Sequence, residues 1–561
     1  MTTPTRSTRS RALPYPRHGE AERRRFRELG LWTPESFADF VVDRTRRYAA
    51  NTAVVGRDCH GAEVRWTYAD LGQQAALAAR RLASYGVARG DRVVVALPNV
   101  VEYLAVVLGL FRMGAVPVFA LPTHREIELG QFCTIADAAA LVVVGDPDGT
   151  DHRGLHKLVS DRVAEQGVEP PVLVDVEEWE RGDAGGVAVE VADVAADELA
   201  FLQLSGGTTG ISKLIPRAAE EYLYSVRASA EICGLDQDTV MLVVLPASHN
   251  FPMSSPGILG VLHAGGTVVL APDPSPRTGF ALIAREHVTV TALVPPLAQA
   301  WISAARRRRP DLSSLRTVQV GGAKLNDVVA RDVEPVLHGR LQQVFGMAEG
   351  LVNYTRDDDP DELVLTTQGR PMSAYDEVRV VDPDDPSREV TDGQEGALLT
   401  RGPYTIRGYY GGPSWTEAVN ASSFTEDGFY RTGDLVRRHP SGHLTVTGRD
   451  KDQINRAGEK IATDEIEGHL LARREVLDAV AVGLPDAYLG ERICAVVRLE
   501  PGAERRPEEL AEALRTAGLA TYKIPDSFVF LDDFPATHVG KNSRRELRRL
   551  LTDQLADQLT D

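Results

Sequence analysis

Three glycines (Gly206, Gly207 and Gly210), the hydroxyls of Ser205, Thr208 and Thr209, and the ammonium of Lys213 fall within nine residues, SGGTTGISK. Glycine lets backbone N–H groups approach an anion, hydroxyls add donors and lysine adds charge, a combination that suits a loop cradling pyrophosphate. The stretch follows the apolar run FLQL, so it leaves the end of a strand. A Walker A loop places its lysine directly after the last glycine, whereas Ile211 and Ser212 intervene here, which disfavours that class of NTPase. A serine-hydrolase elbow is disfavoured too, because residues 210–214 read GISKL and lack the second glycine of GxSxG. A glycine-rich stretch alone can equally be a surface turn, so other segments must decide.

The elements that would position this loop are short Val, Ile, Leu and Ala runs alternating with longer amphipathic stretches from about residue 50 to 450. DRVVVALPN followed by VVEYLAVVLGLFRMGAVPV is one such unit, and LVVVGD, TVMLVVLP, GTVVLAP and VTALVPP have the continuous apolar texture of parallel strands covered on both faces. The class expected is α/β. After residue 448 the texture becomes shorter and more charged: EIEGHLLAR and PEELAEALRTAG read as helices, DAVAVGL and RICAVVRLE as strands, which predicts a small α+β domain. The polar joint GRDKDQINRAGEK suits a linker between bodies that turn against each other. The boundaries expected are a disordered tail over 1–26, a large domain over 27–450 and a small mobile domain over 451–561.

Bulk properties narrow the partners. A chain of 561 residues exceeds what one core supports, and a net charge of -18 argues against nucleic acid or an anionic membrane. The basic run 306–309 before Pro310 reads as the cationic end of a helix. No run of eighteen apolar residues offers a membrane span, and the four cysteines lack the paired spacing of a zinc site or disulfide framework. A cytoplasmic location is expected. The first 26 residues, rich in Arg, Thr, Ser and Pro, lack the apolar centre of a secretory signal.

WTYADL at Trp66, FRMGAVPV at Phe111, SGGTTGISK at Ser205, VFGMAEG at Val344, YRTGDL at Tyr430, GRDKDQI at Gly448 and GKNSRREL at Gly540 occur in one order along the chain. In these motifs, and over almost its whole length, the sequence resembles the adenylate-forming superfamily of acyl-CoA synthetases, peptide-synthetase adenylation domains and luciferases. LPASHNFPMSSPG, LQQVFGMAEGLVNYTR, RGPYTIRGYY and KDQINRAGEKIA resemble in particular the stand-alone aryl-acid adenylating enzymes of siderophore biosynthesis. The resemblance implies a large domain of β/α subdomains with a small distorted β-barrel, and a mobile C-terminal domain.

It also implies roles for individual residues. Lys541, Thr209 and Glu349 are the catalytic set, with Lys541 bridging acid, α-phosphate and ribose, and Glu349 the ligand of a magnesium ion already carried by ATP. Around the nucleotide stand Ser205, Gly206, Gly207, Thr208, Gly210, Lys213, Gly322, Ala323, Val344, Phe345, Gly346, Met347 and Ala348, Phe345 and Met347 flanking the adenine. Asp434 accepts hydrogen bonds from the ribose hydroxyls, assisted by Arg449. Lys451 is the hinge, and Gly458 borders the incoming thiol, although Ala457 stands where relatives usually carry another glycine. NSRREL after Lys541 departs from the usual VDKKEL.

The acid pocket implied comprises His249, Asn250, Phe251, Ser255 and Val352. Amino-acid-activating relatives keep an aspartate where this chain has Asn250, and a neutral amide suits a phenolic 2-hydroxyl instead. Ser255 favours a 3-hydroxyl as in 2,3-dihydroxybenzoate, whereas Phe251, in place of a tyrosine, tolerates salicylate. The function expected is formation of an aryl-AMP from ATP and such an acid, then aryl transfer to a phosphopantetheine thiol. The chain runs only about twenty residues past Lys541, so the thiol is expected on a separate aryl carrier protein or on coenzyme A. The alternatives are an aryl-CoA ligase of aromatic catabolism and a catalytically silent acyl-binding module, against which intact Lys541, Glu349 and Asp434 argue.

Overall fold

Runs such as Arg92–Val95 and Ala140–Val143 are buried at every position, as parallel strands covered on both faces must be. The computed structural model describes residues 15–145, 152–181, 189–205, 213–383, 385–449, 453–456, 459–486, 489–517, 519, 523–535 and 544–558. One six-stranded sheet runs Val172–Asp175, Ala140–Val143, Arg92–Val95, Val116–Phe119, Leu199–Leu204 and Leu214–Ala218, with only the last pair antiparallel. A nine-stranded sheet has a parallel centre that includes Val240–Val243, Val290–Leu293, Thr317–Gly321 and Arg340–Gly346, and antiparallel strands at both edges.

The helix Val101–Met113 lies against strands of both sheets and buries every residue except Glu102 and Arg112. Read in the sequence as amphipathic, it is apolar nearly all round, because a helix between two layers has no solvent face. The basic run ends the helix Pro295–Arg308, and Arg309 turns out of it in the left-handed region.

The segment expected to form a small distorted barrel is a four-stranded antiparallel sheet, ordered Glu377–Val381, Glu395–Arg401, Tyr430–Arg438 and Leu444–Arg449. Its register shifts at 397/399 and 435/436, and the ladder does not close among the described residues. A separate sheet begins at Gln453–Arg456 and, with the helices Thr463–Leu471, Pro507–Thr516 and Arg544–Gln558, encloses its own apolar core. Asn326 Nδ2 donates to Gly468 O at 3.3 Å, joining this unit to the larger one.

Of the tail expected over 1–26, residues 1–14 lie outside the described ones, and the part from residue 15 onward is ordered. Residues 20–28 form a helix, and Phe26, Trp32 and His18 are buried against one another as an aromatic cluster. Arg27 donates to Glu220 at 2.8 Å, Arg407 to Glu22 at 2.7 Å, and Trp32 Nε1 to Pro403 O at 3.0 Å. A tail composition rich in arginine conceals this strap, since the apolar residues that dock it are few and spaced.

Candidate functional site

The glycine-rich loop joins two antiparallel strands, so no helix N-terminus follows it. Ser205 closes its base: its N–H donates to Lys213 O at 3.0 Å and its hydroxyl accepts from Lys213 N at 2.9 Å. Lys213 Nζ reaches Ser423 Oγ at 3.3 Å and stands 4.5 Å over the Tyr409 ring. Gly206, Gly207, Thr208, Thr209, Gly210, Lys451, Gly458 and Lys541 lie outside the described residues.

Tyr409 links this lysine to Glu349. Its hydroxyl donates to Glu349 Oε1 at 2.9 Å and lies 3.2 Å from the Tyr430 hydroxyl. Burial, then the Glu349 charge, push both phenols far above their usual range, so they stay protonated donors. Glu349 is itself 6% exposed and its carbonyl accepts from Ile406 N at 2.8 Å. Gly350 permits this approach, since a Cβ there would fall 2.6 Å from Thr405 Cα. Among the described residues no three His, Cys, Asp or Glu gather into a metal cage. A single carboxylate fits magnesium that takes its other oxygens from phosphates and water.

Asp434, 5% exposed, follows Gly433 at φ +73°, donates its N–H to Thr432 Oγ1 at 3.0 Å, and pairs in register with Arg449. Phe345 and Met347 are half-buried and pack against the apolar core of the four-stranded sheet, while Gly346 and Ala323 are exposed and Ala348 half-buried. Gly322 takes φ +83° at the end of the strand Thr317–Gly321.

Of the residues expected to form an acid pocket, Asn250 and Phe251 follow the parallel strand Val240–Val243, and Phe251 meets the end of another, Thr317–Gly321; open α/β sheets bind ligands at such strand ends. Phe251, in the short helix Asn250–Ser254, rests on Gly321: a Cβ on that glycine would meet Phe251 Cζ at 3.0 Å and Val344 O at 2.7 Å. A Cβ on Gly346 would meet Val352 Cγ2 at 3.3 Å. His249 caps the helix by accepting from Phe251 N at 3.3 Å. Asn250 Oδ1 accepts from the Tyr222 hydroxyl at 2.7 Å. Ser255 is buried, and the nearby Tyr354 hydroxyl donates to Ser229 Oγ at 2.9 Å.

A further phenol, Tyr404, engages the backbone of Val352. Val352 N donates to Tyr404 Oη at 3.1 Å, and Tyr404 donates to Asp376 Oδ2 at 2.7 Å. Burial without a cation pushes the Asp376 carboxyl up to about 7. Tyr222, Tyr404, Tyr409, Tyr430, Asp376 and Gly321 were absent from the residues expected of the site. Tyr404, Tyr409 and Tyr430 lie within RGPYTIRGYY and YRTGDL, and Gly321 within VGGAKL, so the signal was present for four of them.

Residues 41–410 match the AMP-binding enzyme family and residues 465–541 its C-terminal domain. The chain belongs to the AMP-binding enzyme family. A 2,3-dihydroxybenzoate-AMP ligase of Bacillus subtilis (strain 168) is 50% identical over 94% of this chain and 96% of its own length. A salicyl-AMP ligase / salicyl-S-ArCP synthetase of Mycobacterium tuberculosis (strain H37Rv) is 43% identical, covering 96% and 94%. The apo structure of MbtA from Mycobacterium smegmatis superposes with a TM-score of 0.71 at 42% identity, covering 95% and 98%. The fold is thus one already seen among members of the family. No helix among the described residues is long and apolar enough to cross a membrane.

Proposed function

We propose that the protein joins a 2-hydroxylated benzoate, 2,3-dihydroxybenzoate or salicylate, to AMP from ATP and then transfers the aryl group to a phosphopantetheine thiol on a carrier protein. The observation that carries this reading is the neutral pocket wall at Asn250, whose side-chain partners are the hydroxyls of Tyr222 and Ser254. An amino acid would bring an ammonium that needs a carboxylate there.

In the first step an oxygen of the acid's carboxylate attacks the α-phosphorus, the bond to the bridging β-phosphate oxygen breaks, and pyrophosphate leaves with both its electrons. The chain supplies no nucleophile, so rate comes from positioning and charge. Asp434 accepts from the ribose hydroxyls and Lys213 faces the phosphates. Glu349 would hold magnesium, which neutralises developing charge on the phosphates. Lys541 adds a cation at the reacting oxygens. In the second step the thiolate sulfur attacks the acyl carbon and AMP departs, leaving a thioester.

ATP–pyrophosphate exchange with benzoate, salicylate, 2,3-dihydroxybenzoate, anthranilate and several amino acids tests the first step. Exchange driven best by 2-hydroxybenzoates is expected, and an amino acid in the lead would overturn the role of Asn250. Thioester formation measured with a holo carrier protein and with coenzyme A separates the two acceptors, the carrier being expected to win.

A further inference from the structure

Asn250 has two chemically opposite ends, and only one of them can face the acid. Tyr222 sits on the helix Ala219–Ile232, fully buried, with its ring edge-on to Phe201 at 4.7 Å and the Arg217 guanidinium 5.1 Å from its centroid. Packed in this way, the ring cannot swing its hydroxyl away from Asn250 Oδ1, 2.7 Å distant. The Ser254 hydroxyl contacts the Tyr222 hydroxyl, lies 3.4 Å from the same Oδ1 and donates to Asn250 O at 3.2 Å. Burial raises the Tyr222 phenol above its ordinary range, so the hydroxyl keeps the proton it donates. The Asn250 amide nitrogen has no hydrogen-bond partner among the described residues.

We propose that Tyr222 is a specificity-determining positioning residue: by engaging the amide oxygen of Asn250 it turns the amide nitrogen toward the acid, so the pocket offers a donor at the ring's ortho position. This rests on the aryl-acid reading above. A donor there selects an ortho substituent that can accept. The hydroxyl of a 2-hydroxybenzoate gives its own proton to the adjacent carboxylate, which leaves its oxygen lone pairs free for the Asn250 amide. The amino group of a 2-aminobenzoate has its lone pair drawn into the ring and presents N–H bonds to N–H bonds, an arrangement in which both donors lose their water partners.

The test measures kcat/KM for acid-dependent ATP–pyrophosphate exchange with salicylate, benzoate and anthranilate, on the full-length protein and on Tyr222→Phe, with the KM for ATP followed in parallel. The native protein is expected to rank salicylate above benzoate and benzoate above anthranilate. Tyr222→Phe keeps the ring and its packing but frees the amide to rotate, so the salicylate-to-anthranilate ratio should fall about tenfold, the worth of one neutral hydrogen bond, with the KM for ATP unchanged. A purely structural role would slow all three acids together and leave the ratio intact, which overturns the proposal. Anthranilate equal to or better than salicylate on the native protein overturns it without any variant, and so covers the case in which Tyr222→Phe does not fold. Exchange with none of the aryl acids would instead overturn the aryl-acid reading itself.

Discussion

Around the pocket, side chains are fixed by phenols: Tyr222 on Asn250, Tyr404 between Val352 and Asp376, and Tyr409 on Glu349. In the C-terminal unit the corresponding work falls to ion pairs. Arg544 lies 3.0 Å from Asp464 and 2.7 Å from Glu467, Arg456 2.6 Å from Asp526, and Lys523 meets Glu465. A buried phenol bond is short, directional and barely screened, so it holds a pocket atom to a few tenths of an ångström. Partly exposed ion pairs reach farther and trade partners at little cost, so they fix this unit's side chains less rigidly than the phenols fix theirs.

The largest effect expected separates these two kinds of support. Lys541→Ala should lower exchange by ~10²–10³ while the KM for salicylate stays nearly unchanged, because the lysine acts on charge in the transition state and the pocket binds without it. A loss carried by KM instead would break the division. Next in size, Arg544→Ala leaves Glu467, whose carboxyl burial already raises, without its cation. Discounted for the partial exposure of Arg544, the C-terminal unit should lose about 2 kcal/mol. Hydrogen exchange should quicken in the strand Val476–Asp486 and not in Arg92–Val95; equal acceleration in both would deny the independence of the two regions.

The pocket side has its own titration. Asp376 rises from 3.8 to about 7 on folding, so the folded state keeps a proton that the unfolded chain releases between those values. Stability from this group is fully present below 3.8 and is lost as the pH rises through about 7. Asp376→Asn removes that dependence, and its stability relative to the native protein should be higher at pH 8 than at pH 5, by about 2–3 kcal/mol, read as a higher relative Tm. A constant difference between the two pH values would mean that Asp376 stays ionised. The smallest effect expected is that of salt: raising it from 0.05 to 0.5 M, roughly, should weaken protection in the C-terminal unit by a few tenths of a kcal/mol and leave the pocket strands untouched.

The parallel strands were legible because burial on both faces writes itself as unbroken Val, Leu and Ala. Glu349, Asp434, Asn250 and Val352 could be named as candidates because they stand inside ordered motifs. Tyr222 was not, because its partner lies 28 positions away and nothing in AEEYLYS marks which tyrosine turns inward. Asp376 meets Tyr404 only because the four-stranded sheet pairs Glu377 with Arg401 beside them, a register no local pattern specifies. The helix at residues 20–28 was hidden by arginines whose partners, Glu220 and Asp197, are remote in sequence.

That N-terminal helix has a consequence for anyone engineering the protein. Trp32 grips the carbonyl of Pro403 and Glu22 grips Arg407, on either side of the segment that presents Tyr404 to Val352 and Ile406 to Glu349. A chain trimmed to begin at residue 33, for the sake of a tidier start, would have the damage surface far from the cut, at the backbone of Val352 and the carboxylate of Glu349.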